Sequence, residues 1–398
     1  MDLRKLYIAS MCAIAAFAMI SCNNDEENTT SLPYVDNTPV FELDRYIEAS
    51  STHTMEAADV TNATGVEVTY SWSVTRGSTT VDDEDLDKDG QTFTFTFWGS
   101  EKQDTLCNFT VTCSTSATGY YGMSHSVTTT TVNENSLSRE GDSDIADGII
   151  TGTCSDGNSS YNTVTIGGLE WMAENIASEG TGEEAKGAAL ENSDAVSRMF
   201  GRFYTWDEAT EICSSIDPDG GNAWRLPSRD DWNSLGRYFS ESGENGSGDG
   251  TSSGENGNPS LWAGATGKLM TNVRFNGDEM WEYWPAVQIT NESGFSVIPT
   301  GYATVLDRGE GQNKIWTFFG MNEYAGFWTS TEYQQENGSG NAEDAISGAS
   351  GGNAASASTQ SSSSAYYVYM YDNRPDLLLN YTDKSSFALP VRCVRDAR

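Results

Sequence analysis

Apolar and polar residues alternate in several short stretches of the N-terminal half of the chain. In Val66–Val74, the residues Val66, Val68, Tyr70, Trp72 and Val74 fall on one face, with polar residues between them. Thr92 to Phe97 repeats Thr-Phe three times, and Leu106–Val111 and Ser126–Val132 follow the same rule. A period of two over six to nine residues is the mark of a half-buried strand. Several such strands at close spacing predict an antiparallel β-sandwich over residues 39–132.

Helical periodicity is concentrated between Gly201 and Phe239. Thr205 is an N-cap type and Glu208 lies three residues on, which makes a capping box. Trp206, Ala209 and Cys213 then share a face. Asp217-Pro218-Asp219-Gly220-Gly221 reads as a turn, and Trp224-Arg225-Leu226-Pro227 as extended chain, because the residue before proline avoids the helical region. Ser228 and Asp231 cap a second helix that buries Trp232, Leu235 and Phe239. Large apolar side chains in such a stretch are core candidates first.

Between these regions, residues 133–147 are polar without an apolar period and read as a linker, so a second domain spans 148–398. Two tracts within it, 240–260 and 334–364, are built of Gly, Ser, Asn, Ala and acidic residues. They carry too little apolar surface to order themselves and are expected to be mobile insertions.

The N-terminus carries an address. Arg4 and Lys5 precede an apolar run of about fifteen residues, short of the ~20 that cross a bilayer, and the run ends at Ser21-Cys22. This resembles a bacterial lipoprotein signal over 1–21, with Cys22 as the lipid attachment site, although Met19 stands where that family usually has Leu. The acidic Asn23-Asn24-Asp25-Glu26-Glu27 that follows resembles the surface-export signal of Bacteroidetes lipoproteins, and 22–38 reads as an acidic tether. The implied location is the outer membrane, lipid-anchored and facing outward.

Charge narrows the partners. Asp plus Glu number 58 against 22 Lys plus Arg, a formal net charge of -36. Such a surface repels phosphate backbones, which argues against nucleic acid. Asp85, Asp87 and Asp89 begin a D-x-D-x-D-G pattern like that of a calcium loop, but Thr96 stands where a closing Glu belongs. Calcium there and an acidic, solvated turn are both open readings. The two histidines, His53 and His125, lie in the first domain, so a His-centred metal or triad site in the second is not expected. No catalytic constellation stands out, and no cofactor is called for.

A resemblance adds to this reading. Tyr161–Asn175, Gly201–Trp206, Trp224–Pro227, Gly294–Gly301, Gly326–Tyr333 and Val391–Asp396 occur in the order seen in the Fibrobacter succinogenes major paralogous domain family. The first domain more loosely resembles immunoglobulin-like domains of the polycystic-kidney-disease type. The family resemblance implies a C-type-lectin-like α+β fold with its two ends brought together, and no established activity. A disulfide between Cys213 and Cys393 suits such a fold, and an exported protein permits it. Cys107 and Cys113 read as buried small hydrophobes, and Cys154 is left over.

In Ala365–Tyr371, the residues Tyr367, Tyr369 and Tyr371 fall on one face and Tyr366, Val368 and Met370 on the other. The second set is the better core candidate, which leaves the first as an exposed tyrosine stripe beside Asp372, Asn373 and Arg374. Trp281, Tyr283 and Trp284 lie where lectins of the implied fold carry their long loops. Aromatic faces beside polar groups suit carbohydrate, and they equally suit packing onto a sheet. The E-P-N and Q-P-D tripeptides of calcium-dependent lectins are absent. The expected role is a non-catalytic surface protein that binds glycan or protein, with a structural part in a surface assembly as the alternative and a polysaccharide-acting enzyme as the least favoured reading.

Overall fold

The computed structural model describes residues 31–81, 87–99, 107–180, 185–216, 223–239, 252–253, 259–262, 264–281, 287–309, 313–333 and 363–397. The signal segment and Cys22 lie outside them. The described chain is rich in β-strand and arranged in several open sheets. Among the described residues no helix is long and apolar enough to cross a membrane.

In the first module, Tyr46–Glu48, Ser124–Val132, Asn108–Ser116, Thr69–Arg76 and Thr79–Thr80 form a five-stranded sheet in that order. Ser51–Glu56, Thr92–Phe97 and Asp87–Asp89 form a three-stranded one. The Thr-Phe alternation has its expected effect. Phe93, Phe95 and Phe97 are buried in one core with Trp72, Val74, Phe109 and Val111. The threonines between them face out, where Thr94 and Thr96 share hydrogen bonds with Thr54 and Thr52 across the ladder. Cys107 and Cys113 are free and buried, as their spacing implied.

One expectation for this module needs correction. The Trp72 strand starts at Thr69, so Val66 is exposed rather than part of the apolar face. Asn62 exchanges hydrogen bonds with both backbone groups of Val66 and holds it in a loop instead. The calcium pattern lies on a hairpin: Asp87–Asp89 pairs with Thr92–Phe97 across a turn at Gly90 (φ 57). Asp85 lies outside the described residues.

The segment 133–147 is not a free linker. Leu137–Arg139 pairs with Val273–Phe275 of the second module. The Asp142 carboxylate accepts from the Thr271 hydroxyl (2.7 Å), the Asn272 N–H (3.0 Å) and the Asn291 amide (2.9 Å). Tyr46 and Val132 of the first module belong to the core of the second, with the Tyr46 ring edge-on to Phe275 at 5.7 Å. The Tyr46 N–H donates to Ser193 Oγ at 3.0 Å. Backbone pairing needs no apolar period, which is why composition pointed to a spacer here. Likewise the tether is partly folded, because Val35 is buried and Tyr34 and Asp36 bridge to Tyr121 and Thr61.

The second module carries a four-stranded sheet of Ile150–Ser155, Ser160–Ile166, Leu169–Met172 and Val394–Asp396, which seats the last strand beside the first ones. A five-stranded sheet runs Ser252–Ser253, Pro259–Trp262, Leu377–Asp383, Ser364–Tyr371 and Tyr324–Glu332. A three-stranded sheet runs Ile315–Phe319, Tyr302–Leu306 and Phe387–Ala388. Strand pairing at 252–253 and 259–262, and a strand beginning at Ser364, trim the expected mobile tracts; the rest of each lies outside the described residues.

Both expected helices are present, at Trp206–Ser215 and Arg229–Phe239. The Glu208 carboxylate accepts from the Thr205 N–H and hydroxyl, both at 2.9 Å, and also from Lys314 at 2.8 Å, so one cap ties a helix to a hairpin. Ala209, Ile212 and Cys213 form the buried face; Trp206 is only half-buried, with Lys384 Nζ 4.0 Å above its ring. In the second helix Trp232, Leu235 and Phe239 are buried. Cys213 and Cys393 form the disulfide, with Cα atoms 5.5 Å apart and a sequence separation of 180. In the chain-entropy view a loop of that length is worth about 5 kcal/mol.

Arg392, beside that disulfide, is 1 % exposed. It donates to Asn175 Oδ1 (2.9 Å), to the Phe295 carbonyl and to the Ser296 carbonyl (2.8 Å), and it lies over the rings of Phe295 and Phe327. Burial pulls its pKa down to about 9, which leaves it charged at neutral pH.

Asp231 shows how a cap is coupled to charge. Its Oδ2 accepts from the Ser228 N–H (2.6 Å) and hydroxyl (2.7 Å), and Arg225 reaches both carboxylate oxygens at 2.5 and 2.9 Å. Burial pushes the carboxyl up, but the bonds from Arg225 and Ser228 outweigh it and hold the pKa below the usual 3.8. A depressed pKa gives stability that is complete above about pH 4 and is lost as pH falls through the lower folded value. Asp231→Asn is expected to cost about 1–2 kcal/mol at pH 7, less than a fully buried charged bond because Arg225 is partly in solvent. Urea unfolding at pH 7 and pH 3 checks this: the difference between variant and parent should shrink at the lower pH.

Candidate functional site

The strand Ser364–Tyr371 sits between Tyr324–Glu332 and Leu377–Asp383. Val368 and Met370 are buried on one face, as alternation demands. The opposite face, however, is not an exposed stripe. Tyr369 is buried, and Tyr367 and Tyr371 are half-buried. The reason is a second layer that the strand pattern alone does not show: the three-stranded sheet brings its own aromatics alongside.

The result is a continuous aromatic row. Phe319 stacks on Tyr302 (5.4 Å, 27°), Tyr302 on Phe387 (5.0 Å, 24°), and Phe387 meets Tyr367 (5.6 Å, 38°). Tyr367 leads to Tyr369 (5.5 Å), which stacks on Tyr324 (5.7 Å, 25°), and Tyr371 lies edge-on to Tyr324 (5.3 Å). Three of these six contacts are stacks, two are tilted and one is edge-on, all favoured arrangements for aromatic pairs. Inner rings such as Tyr324 and Tyr369 are thereby buried, and Phe319, at the end of the row, stacks on one side only among the described residues and is 44 % exposed. Tyr302, Phe319, Tyr324 and Phe387 were not among the residues expected here. They come from four strands, and a sequence signal exists only for Tyr302 and Phe319, in the alternation of Tyr302–Leu306 and Ile315–Phe319.

Of the polar neighbours, Asp372 is buried, Asn373 exposed and Arg374 half-buried. Trp281 is buried in the core with its indole N–H on the Thr271 carbonyl at 3.0 Å, so it lines no open loop site. Tyr283 and Trp284 lie outside the described residues.

The reverse face of the Tyr302–Leu306 and Ile315–Phe319 hairpin borders a polar cleft of about 930 Å³, with Trp316 on one wall. Several of its charges are paired: Lys314 with Glu208, Lys186 with Glu211, and the buried Arg202 with Glu179 and Asp194, while Asp307 accepts from the Gly309 N–H. Among the described residues no group of three or more His, Cys, Asp and Glu comes together as metal ligands do. Cys154 is half-buried on the Ile150–Ser155 strand, where burial and the Glu170 carboxylate push its thiol up to about 12. A thiol so poised is protonated and inert at neutral pH.

Tyrosine hydroxyls in the row share the burial. Tyr324 is pushed well above 10 by burial. Tyr367 is pushed up to about 12 by burial, against hydrogen bonds from Tyr324 and Asn380 that favour its ionised form. A raised phenol pKa gives stability that is whole below pH 10 and is lost as pH rises toward the folded value. A stopped-flow pH jump followed by tyrosinate absorbance is expected to show Tyr367 ionising late, near pH 12, and the buried Tyr324 ionising only with unfolding. Tyr367→Phe should remove part of that late phase. Ionisation of every tyrosine near pH 10 would contradict the packing of the row.

No curated protein and no solved structure matches the chain. The Fibrobacter succinogenes major domain matches residues 164–395, more than half of the chain and nearly all of the second module after its first strand and the start of its second. On that match, the chain belongs to the Fibrobacter succinogenes major domain family.

Proposed function

We propose that this is a lipid-anchored, surface-displayed recognition protein, non-catalytic, that binds glycan through its second module. In this reading Cys22 carries the lipid in the outer membrane, the first module is an immunoglobulin- or PKD-like spacer, and the second has a C-type-lectin-like fold. The aromatic row carries the reading. The half-exposed rings of Tyr302 and Tyr371 and the open side of Phe319, held at fixed spacing on a rigid sheet beside Asn373 and Arg374, offer a polyol both apolar and hydrogen-bonding contact. Tyrosine does this at little entropic cost, because only two side-chain torsions need fixing. Rigid attachment of the first module to the second suits presentation at a set distance from a membrane.

A structural role in a surface assembly is the second reading. The exposed edge strand Ile150–Ser155, with Ile150 67 % exposed, favours it, since an open edge can take up another strand.

A glycan array probed with and without EDTA tests the first reading. Binding is expected to survive EDTA, because the row holds no cation ligands, and Tyr371→Ala is expected to weaken it about tenfold or more, as loss of a stacking contact does. A blank array together with a protein partner captured by cross-linking would overturn it.

A further inference from the structure

The hairpin that starts the aromatic row has a second property, in its backbone. Ile315–Phe319 is the outer strand of its sheet, and no other described strand pairs with its far edge. Tyr302, Thr304 and Leu306 stand opposite Phe319, Thr317 and Ile315. On the other side of Tyr302–Leu306, the Val305 N–H donates to the Ser386 carbonyl. Backbone groups alternate sides along a strand, so those of Thr304 point toward Thr317, and the outward groups on the outer strand are those of Trp316 and Phe318.

The exposed side chains of this edge are apolar or neutral. Ile315 is 45 % exposed and Phe319 44 %, with Thr317 between them and Leu306, 60 % exposed, next to Ile315. In a chain of net charge -36, that is an uncharged edge with three large apolar side chains on one hairpin. Such clusters mark interaction surfaces rather than scattered surface apolar residues.

We infer that Ile315–Phe319 is a self-pairing edge, through which two copies of the chain join antiparallel about a two-fold axis at Thr317. The register is self-complementary. With Thr317 opposite its own copy, Trp316 faces the second copy's Phe318, and their outward N–H and C=O groups form the hydrogen-bonded positions. Ile315 then meets the second copy's Phe319 at a non-hydrogen-bonded position, where side chains approach most closely, and the contact occurs twice. The free face of Phe319 gains an apolar neighbour. Lys314 falls opposite the second copy's Gly320, so no like charges oppose each other. An isologous contact of this kind closes on itself and does not grow into a fibre. A five-residue edge is smaller than the ~1,200 Å² of a stable interface, so the dimer is weak, and screening of the net negative charge by salt strengthens it.

The test uses the full chain carrying Thr317→Cys, which places a thiol on the two-fold axis. Mild oxidation is expected to give a disulfide dimer absent from the parent and slower to form with Thr304→Cys, an exposed position one strand inward. Sedimentation of the parent is expected to show a monomer–dimer equilibrium that shifts toward dimer with concentration and with salt. Ile315→Lys should weaken it about tenfold or more with an unchanged melting temperature. A parent that sediments as a monomer at every concentration, with Thr317→Cys cross-linking no faster than Thr304→Cys, would overturn the inference. Glycan binding per site is read separately, at Tyr371, so either idea can fail without the other.

Discussion

A buried guanidinium organises the second module. Arg392 has almost no access to water and, among the described residues, no carboxylate bonded to it; its partners are an amide oxygen, two backbone carbonyls and two aromatic rings. A charge in that position is tolerated only when every donor finds an acceptor, since an unmet buried charge costs several kcal/mol. The acceptors come from separate parts of the chain. Asn175 follows the Leu169–Met172 strand, Phe295 and Ser296 lie in the Gly294–Gly301 loop, and Phe327 belongs to Tyr324–Glu332, the last strand of the five-stranded sheet. One side chain near the C-terminus thus sets the relative position of most of the module.

The next residue does the same by covalent means. Cys393 joins the Trp206 helix, whose N-terminal cap at Glu208 reaches the hairpin of Ile315–Phe319 through Lys314. Arg225 pairs with Val394 through its backbone and with Asp231 through its side chain, which fixes the second helix against the last strand. Gly201 illustrates how tightly this region is drawn. Its φ is +79, and a Cβ there would stand 2.4 Å from that of Asn175, the residue that holds Arg392. The first module is attached by equally specific means, through Tyr46 in the shared core and the Leu137–Arg139 strand.

Much of this was legible from sequence. Strand alternation placed Thr92–Phe97, and caps placed both helices, because these depend on neighbours a few residues apart. The blocks that carry the family resemblance turned out to supply Asn175, Phe295, Phe327 and Arg392, and the disulfide it implied is present. What sequence could not show depends on distant chain. The tyrosine stripe is covered because the three-stranded sheet supplies Tyr302 and Phe387, and nothing near Tyr367 announces them. Residues 133–147 read as a spacer because their ordering comes from backbone pairing and from Asp142, not from an apolar face. Arg392 itself reads as a surface residue by type; only its three acceptors make its burial intelligible.

Urea unfolding of Arg392→Ala, with the disulfide intact, tests this dependence most directly. Relief of the buried charge is set against three oxygens left without a donor, at about 1–3 kcal/mol each, and a new cavity. The expected result is a net loss of about 3–5 kcal/mol, in the range seen when a buried charged network is broken. A change within about 0.5 kcal/mol of the parent, the range of an ordinary surface substitution, would contradict the claim that Arg392 holds the module together.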